Sequence, residues 1–567
     1  MKASEKNFGF MQQENCIEIP FFQRAYAWDE EQWEQLFKDL KDSYKDNKKD
    51  HFLGSVIFKQ LATNAGEGSK RSLIDGQQRL TTFSILVKVL YECLDDEDKS
   101  DYATFLFQKP TREKKPKIEH SKVDREVFTA VLRGDEGLES LYQNEKIFRC
   151  YQYFKEQIEN ERLDFRDFLD FILESKLWVI INLEANEDEQ KIFDSINTAG
   201  LRLTATDIIK NAIFAKAFKI GADYERLYKE CWEEVFETKE HREFWEAEVE
   251  IGRIKRVQSE IFLHAFAVMG QFFNPEKNSL EDLSFLYKGY IENFNNNELE
   301  NFLKHIKEYA EIYMNLPFFK GGALRFDEDM KRLFHIISVI NVNTAMPLIL
   351  FLSHSVKEQT LLNECLQVIE NYIMTRYVCG YDTNSYNKKF AAIVRSIDLN
   401  NPLGDLKEKL SDIPSRSELE KALEHLYLNN RAPKLILFWI ELYRRYLSKD
   451  KQDLIELNYD YTLEHLIPQT WQTHWKDIIT DDEQAKNYIY QIGNMTLLKG
   501  SLNSTIKNCA WEKKLDGDGS RKNCIKKCAD LLITRELLDK DKWDLQSVKE
   551  RSSRLIEEFF EIWKVDK

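Results

Sequence analysis

The chain has 567 residues, of which 43% are hydrophobic and 31% are charged. This composition excludes a chiefly disordered protein, and the length predicts roughly two to four domains. Glycine (20 residues) and proline (10 residues) are scarce, so we expect a predominantly helical α+β fold. The sequence contains no apolar run of about 18 residues, so we expect no membrane span. The N-terminus lacks the apolar core of a signal peptide.

The charge pattern is uneven along the chain. The formal net charge is −16, which is not typical of a nucleic-acid binder. Residues 499–527 nevertheless carry eight basic and three acidic residues. One such face suffices for phosphate contact, so this segment could face DNA. The nine cysteines are odd in number and scattered, which is typical of a reducing cytoplasm.

Residues 1–215 mix short strands with helices and form the first predicted domain. We predict strands at 52–58, 72–76 and 177–183, where short apolar runs meet turn signals. Residues 109–122 contain six basic and two acidic residues. We predict an exposed loop there, and we favour a solvated loop over a nucleic-acid contact.

Residues 216–445 are predicted to be helical almost throughout. The stretch 333–352 is apolar nearly all round, which predicts one buried helix of a bundle. Residues 446–567 form the third predicted domain, in which the aromatic and β-branched stretch 459–471 is interrupted by Pro468.

Residues suited to breaking a phosphodiester bond are gathered in this third domain. Hydrolysis needs a base, and a neutral imidazole such as His465 suits pH 7. It also needs a divalent cation, which prefers hard oxygen ligands. The polar set is Glu464, His465, Asn494, Asn503 and Lys507. His465 alone would more simply be a core histidine of a hairpin, but its company favours a nuclease.

The spacing resembles that of the His-Me finger (HNH) nucleases. The matching residues are His465, Pro468, Gly493, Asn494, Leu497, Leu498 and Asn503. The resemblance implies that His465 is the general base and that Glu464 and Asn503 hold Mg²⁺ or Mn²⁺. It also implies that Asn494 braces the loop of the histidine and that Lys507 contacts phosphate. Glu464 stands where many such sites have Asp, and the zinc-binding cysteine pairs of some members are missing.

The stretch LIDGQQRLTTFSIL (73–86) places polar residues where a predicted strand meets a helix. Free N–H groups at a helix N-terminus bind phosphate, and Arg79 adds a forked donor. Asp75 could hold a metal ion or a ribose hydroxyl, and Gln77 and Gln78 could bind a base or a phosphate.

Two other polar stretches have the same character. Near the N-terminus, Arg24 lies between aromatic residues that include Tyr26 and Trp28, an arrangement used to hold bases. Later, a polar turn runs from Asn197 to Thr204 before a capped helix. By composition alone these could equally be a surface corner and a turn.

Together the three stretches resemble the N-terminal domain of the GmrSD family, which has a ParB/sulfiredoxin-like fold and a D-G-Q-Q-R signature. The matches are Gln23, Arg24, Tyr26, Trp28, Asp75, Gly76, Gln77, Gln78, Arg79, Asn197, Thr198, Gly200, Leu203 and Thr204. The same family carries the His-Me finger domain, in the same order. The resemblance implies a modification-dependent (type IV) restriction enzyme, or a relative in phage defence. In that family the first domain binds and hydrolyses a nucleoside triphosphate, and the second cuts DNA.

Our hypothesis is a cytoplasmic, metal-dependent DNA endonuclease that is regulated by a nucleotide (GTP, ATP or another triphosphate). The expected nucleotide-binding residues are Arg24, Tyr26, Asp75, Gly76, Gln77, Gln78, Arg79 and Asn197. The expected partners are DNA, which could be modified phage DNA, the triphosphate and a second copy of the chain, without a membrane. Two alternatives stay open. One is a nucleotide-gated DNA-binding protein with an inactive finger, and the other is a nuclease whose active site lies in the N-terminal domain.

Overall fold

The computed structural model describes most of the chain. The described ranges are 2–20, 23–46, 52–60, 70–161, 163–183, 204–251, 254–426, 430–448, 455–518 and 523–564. The chain divides into two compact units. The first comprises Met1–Tyr228 and Ile291–Asn296, and the second comprises Lys229–Tyr290 and Asn297–Lys567. The expected three-part division stays a prediction.

Twelve strands are seen in the described residues. They are β1 Lys2–Lys6, β2 Cys16–Glu18, β3 Gly54–Gln60, β4 Lys70–Asp75, β5 Ile118–Glu119, β6 Trp178–Leu183, β7 Glu248–Ile251, β8 Ile254–Val257, β9 Ala323–Arg325, β10 Glu456–Asn458, β11 Thr462–His465 and β12 Met495–Leu498. The first unit holds one mixed sheet in the order β1-β6-β3-β4-β2-β5. β6 is parallel to β3, and β2 is parallel to both β4 and β5, whereas β1–β6 and β3–β4 are antiparallel. The three strands predicted for this region are confirmed as β3, β4 and β6.

Helices dominate the rest of the described chain, which confirms a predominantly helical α+β protein. The α-helices are Phe10–Gln13, Glu30–Lys45, Gln77–Glu92, Asp96–Leu106, Arg125–Arg133, Leu138–Tyr142, Lys146–Asn160, Phe165–Glu174, Ala205–Lys219, Tyr224–Tyr228, Lys239–Glu246, Gln258–Met269, Leu283–Ile291, Asn296–Met314, Asp329–Ile340, Met346–Ser355, Gln359–Val378, Tyr386–Ser396, Pro402–Lys409, Arg416–Leu423, Arg431–Leu447, Asp482–Ile489, Gly500–Ile506, Trp511–Asp516, Ile525–Cys528, Leu532–Arg535 and Leu545–Ile562. A π-helix spans Lys229–Glu237. None of the helices in the described part of the chain is both long and apolar enough to cross a bilayer.

The core of the first unit is built around the helix Gln77–Glu92. This helix is buried on nearly all sides, because the sheet and the surrounding helices enclose it. Phe83 packs edge-on against Trp178 of β6, with ring centroids 5.3 Å apart. A helix enclosed in this way has little freedom to move, so its first turn is a rigid platform for polar side chains.

The apolar stretch 333–352 is two helices rather than one, so that prediction was wrong. The chain turns at Asn341, whose φ of +63° is the left-handed conformation that ends the helix Asp329–Ile340. Pro347 then lies in the first turn of Met346–Ser355, where its missing N–H and fixed φ are tolerated. Periodicity could not reveal the break because both helices are buried.

The expected exposed loop at 109–122 is exposed only in its first half, so that prediction was wrong for the second half. Ile118 and Glu119 form β5 and pair with β2, and this pairing draws the flanking residues into the unit. Lys117 is buried there, and its ammonium donates a hydrogen bond to the carbonyl oxygen of Met11. Burial lowers the pKa of Lys117 to about 8.

In the second unit, the strand pair β11–β12 is held by the last long helix, Leu545–Ile562. Arg551 of this helix is buried and donates from Nη1 to the carbonyl oxygens of Gly493 (2.7 Å) and Met495 (2.6 Å). Its Nε lies 2.5 Å from Oε1 of Glu536. At Gly493 a Cβ would lie 2.3 Å from the carbonyl oxygen of Val548 and 2.5 Å from the backbone nitrogen of Ser552. Only glycine therefore allows this close approach of the turn before β12 to the helix.

We expect Gly493→Ala to destabilise the second unit by about 3 kcal/mol, because backbone atoms block the added methyl group. The control is Gly289→Ala, since Gly289 is a helical residue with open space around its Cβ position. That change should stabilise by about 0.5–1 kcal/mol. Urea unfolding midpoints and hydrogen exchange of β12 measure both effects. Equal behaviour of the two variants would contradict the packing argument.

Candidate functional site

The junction between β4 and the helix Gln77–Glu92 depends on Gly76. This residue has a φ of +96°, and a Cβ there would lie 3.1 Å from the carbonyl oxygen of Ser55 and 3.2 Å from Cα of Val56. The tight turn places the free N–H groups of the first helical turn at the end of the strand, directly after Asp75.

Two glutamines of this first turn join the junction to the earlier polar stretch. Gln77 donates from Nε2 to the carbonyl oxygen of Arg24 at 3.0 Å. Gln78 accepts at Oε1 from the backbone N–H groups of Ala27 (2.7 Å) and Trp28 (3.2 Å). The structure therefore brings together two sequence motifs that lie about fifty residues apart. The Nε2 of Gln78 is buried and has no hydrogen-bond partner among the described residues.

Arg79 lies on the same side of the junction as Asp75. Its Nη2 donates to the carbonyl oxygen of Ser55 at 3.0 Å and lies 3.5 Å from Oδ2 of Asp75. The guanidinium is close to the backbone of Gly54, where a Cβ would lie 2.8 Å from Nε of Arg79. That Nε is buried, and no partner for it exists in the described part of the chain.

Arg24 is electrostatically coupled to this pair. Burial lowers its pKa, and the carboxylates of Asp207 and Asp75 partly restore it. Asp207 belongs to the helix that Thr204 caps, and the Oγ1 of Thr204 accepts from the N–H of Asp207 at 3.1 Å. Two arginines, a helix N-terminus and two carboxylates therefore converge at one end of the sheet. The predicted ligand residue Asn197, with Thr198, Gly200 and Leu203, lies outside the described residues.

Tyr26 lies beneath the junction rather than at its surface. Its hydroxyl shares a 2.5 Å hydrogen bond with Oγ1 of Thr82 and accepts from Nε1 of Trp33 at 2.7 Å. Its backbone N–H donates to Oδ2 of Asp124. Because the side chain is only 4% exposed, this geometry favours support of the Arg24 segment, and direct nucleotide contact by Tyr26 stays a prediction.

The second site is the hairpin β11–β12 with the helix Gly500–Ile506. Asn494 is fully buried at its centre. Its Oδ1 accepts from the N–H of Ile467 at 2.8 Å, and its Nδ2 donates to the carbonyl oxygens of Ile467 (2.9 Å) and Ile489 (3.0 Å). One amide side chain therefore fixes the loop two residues after His465.

His465 ends β11, opposite Met495 of β12. The residue is half-buried, and its ring packs edge-on to Tyr490 with centroids 6.0 Å apart. Nε2 is buried, without a hydrogen-bond partner among the residues that the structure describes. Burial, with a smaller contribution from Lys514, lowers the pKa of His465 to about 4. The imidazole is therefore neutral at pH 7.

Glu464 points away from His465, because successive residues of a strand face opposite sides. Its Oε1 lies 2.5 Å from the ammonium of Lys514, which also donates to the carbonyl oxygen of His465 at 3.0 Å. Both side chains are buried. Burial raises the pKa of Glu464, and Lys514 opposes that shift. No motif in the sequence singles out Lys514, although its position three residues after the buried Trp511 places it on the inward face of the helix.

Asn503 and Lys507 come from the helix that follows β12. Asn503 donates from Nδ2 to Oγ1 of Thr462 (2.9 Å) and to the carbonyl oxygen of Leu463 (3.0 Å). It is therefore fixed beside the strand that carries Glu464. Lys507 is exposed and ends the helix with a φ of +29°.

The donor set of this hairpin is short of carboxylates. Among the described residues, no group of three or more His, Cys, Asp and Glu could hold a metal ion. A divalent cation here would depend on one carboxylate and one amide oxygen, which are the hard donors that Mg²⁺ prefers.

Two protein-family models match the chain. The GmrSD restriction endonuclease N-terminal domain matches residues 6–214, and the GmrSD restriction endonuclease C-terminal domain matches residues 413–558. The two matches together cover more than half of the chain and contain both sites described above. No curated protein matches the chain. The chain belongs to the GmrSD family of type IV restriction endonucleases, and it is a DNA endonuclease of phage defence.

Proposed function

We propose that the hairpin β11–β12 is the metal-dependent cleavage centre and that the β4 junction binds a nucleoside triphosphate that regulates cutting. The observation that carries the first part is the position of His465 at the end of β11, where its buried Nε2 has no hydrogen-bond partner in the described chain. A buried polar atom without a partner costs free energy, and its completion by a ligand or a reactant is one explanation for its presence.

The residues present fit a divalent cation. Glu464 and Asn503 would hold it through hard oxygen atoms, with the carboxylate of Glu464 released from Lys514, and Nε2 of His465, the residue after Glu464, is an orphaned polar atom. When bound, Mg²⁺ or Mn²⁺ supplies positive charge that stabilises the phosphate and the leaving oxygen.

Three residues of the chain have separate roles in the proposed reaction. His465 accepts a proton from the attacking water, because its imidazole is unprotonated. Asn494 keeps the loop after His465 in place through both polar backbone atoms of Ile467. Lys507, exposed at the helix end, offers an ammonium to the DNA backbone.

Nucleotide binding at the β4 junction is supported by the arginines and by two buried donors. Nε2 of Gln78 and Nε of Arg79 are donors that need an acceptor, and the described residues do not supply one. Phosphate oxygens are such acceptors, and the N-terminus of the helix Gln77–Glu92 adds its N–H groups. A cleavage assay on DNAs that differ only in modification, with each triphosphate added in turn, would identify the preferred triphosphate and the recognised modification. A homodimer stays a prediction.

We expect His465→Ala to lower the rate of plasmid nicking with Mg²⁺ or Mn²⁺ by about 100-fold to 10,000-fold, because the general base is lost. DNA binding, measured by fluorescence anisotropy, should be retained. His474→Ala is the matched control, since His474 is an exposed histidine of the same domain. Normal cutting by His465→Ala would refute the assignment. If Asp75→Ala abolished nicking while His465→Ala did not, the nuclease would lie in the N-terminal domain.

We expect Lys514→Met to destabilise the C-terminal part by about 3–5 kcal/mol, because it leaves the buried carboxylate of Glu464 unpaired. Lys513→Met, the change at its exposed neighbour, should alter stability by less than about 0.5 kcal/mol. Adding Glu464→Gln to Lys514→Met should recover part of the loss, since neutral partners need no countercharge. Thermal unfolding measures all three variants. A double variant no better than Lys514→Met would argue against charge as the cause.

We expect Arg79→Lys to weaken triphosphate binding by about tenfold or more, because lysine cannot supply the forked donors of a guanidinium. Isothermal titration calorimetry with GTP and ATP measures the effect. Arg112→Lys is the control, since Arg112 is exposed in the same unit. Unchanged affinity in Arg79→Lys would remove this residue from the proposed site.

A further inference from the structure

The second unit contains a large cavity outside the hairpin site. Its volume is about 1390 Å³, and its walls come from the helices Lys239–Glu246, Asn296–Met314, Asp329–Ile340 and Arg431–Leu447. Pockets for drug-sized ligands span roughly 300–1000 Å³. This cavity therefore has room for a base together with its sugar and phosphate.

One wall of the cavity is aromatic. The rings of Phe244, Tyr313 and Phe318 contact one another, with centroids 5.0–6.2 Å apart, and all three line the cavity. Behind them, Trp245 stacks on Tyr313 at 5.7 Å with an interplanar angle of 11°. This backing fixes the buried ring of Tyr313, which in turn supports the partly exposed rings of Phe244 and Phe318.

Tyr313 also carries an unused polar group. The side chain is fully buried, and its hydroxyl has no hydrogen-bond partner among the described residues. Burial raises the pKa of Tyr313, so the hydroxyl remains a neutral donor. A donor left unpaired in a buried wall costs free energy, which an acceptor on a ligand that reaches this wall would offset.

Charged and amide side chains flank the aromatic wall. The ammonium of Lys320 lies 5.2 Å from the ring centroid of Phe244, and that of Lys434 lies 4.1 Å from the ring centroid of Tyr459. Asn341 also lines the cavity, and its amide suits the edge of a base. A ligand that is planar, edged with donors and acceptors, and negatively charged at one end matches this lining.

The acidic residues of the lining restrict where the negative end can lie. Glu240 and Glu243 belong to the same helix as Phe244, Glu248 begins β7 just after it, and all three would repel a phosphate. A phosphate is therefore favoured beside Lys320 or Lys434, and the carboxylates are left to accept from exocyclic amino groups.

We propose that this cavity houses a DNA base that has left the helical stack. In duplex DNA both faces of each base are covered by its neighbours, so an aromatic wall can reach a face only when the base is turned out. The proposal rests on the DNA-cutting activity of the family but not on His465 or on the nucleotide site. It gives the helical part of the enzyme a reading function separate from cleavage.

Photo-crosslinking tests the proposal on the full-length His465→Ala protein without metal, so that DNA is bound and not cut. A duplex carrying 5-iodouracil at one position is irradiated, and labelled peptides are identified by mass spectrometry. We expect the label on peptides that contain Phe244, Phe318 or Tyr459. Tyr313→Phe and Lys320→Glu should each lower the yield by about fivefold or more, because each removes one recognition contact.

Two matched changes serve as controls. Tyr287→Phe removes a buried hydroxyl that bonds to the carbonyl oxygen of Leu263, and Lys407→Glu reverses an exposed charge outside the cavity lining. Both should crosslink like the parent protein. Label confined to other peptides, equal yields in all variants, or no DNA binding would overturn the proposal.

Labelling of the cavity by an azido-nucleoside triphosphate in place of DNA would also overturn it and assign the cavity to free nucleotide. Failure of the cleavage hypothesis is separate, because it appears as normal nicking by His465→Ala, whatever the crosslinks show.

Discussion

The hairpin that carries His465 cannot be stable by itself, and this constraint shapes the C-terminal part of the enzyme. β11 and β12 are four residues each, and an isolated two-stranded hairpin is marginal in water. Buried polar side chains from elsewhere supply the missing order. Arg551 binds the carbonyl oxygens of Gly493, just before β12, and of Met495, its first residue, and Asn494 binds the loop after β11. The imidazole is thus positioned by side chains that are themselves buried.

The same principle recurs at the β4 junction in the other unit. Gln77 and Gln78 use their amides to hold the backbone around Arg24, rather than to face solvent. Each amide supplies a hydrogen-bond partner that the backbone of this irregular segment would otherwise lack. In both units, several motif residues bind backbone atoms of the protein. Fewer motif residues are therefore left to contact a ligand than the length of the motif suggests.

Burying charged side chains costs free energy, and the enzyme offsets this cost by placing them in ion pairs. Glu464 is matched by Lys514, and Arg551 is matched by Glu536. A buried ion pair adds little net stability, but loss of one member is severe. Among the described residues, His465 has no such ionic partner, and burial disfavours its charged form. The contrast separates the paired residues, which stabilise the hairpin, from the unpaired imidazole that we propose as the general base.

The motifs were readable from the sequence because their spacing is local. Asp75 to Arg79 lie within one turn of a strand–helix junction, and Glu464 with His465 end a short strand, so pattern sufficed to place them. The strands β3, β4 and β6 were readable for the same reason. The helix break at Asn341 and the burial of Lys117 were not, since a left-handed turn and a strand pairing leave no periodic trace.

Only the tertiary structure decided what each side chain does. Tyr26, expected beside a nucleotide, lies in the core because Thr82 and Trp33 engage its hydroxyl. Lys514 went unnoticed in the sequence, yet it is the cation beside Glu464 across a separation of fifty residues. The sequence by itself determined which chemical groups are available and in what local order. Which of them are paired and which are left to react depends on contacts between distant segments, because burial and charge pairing arise only when the chain has folded.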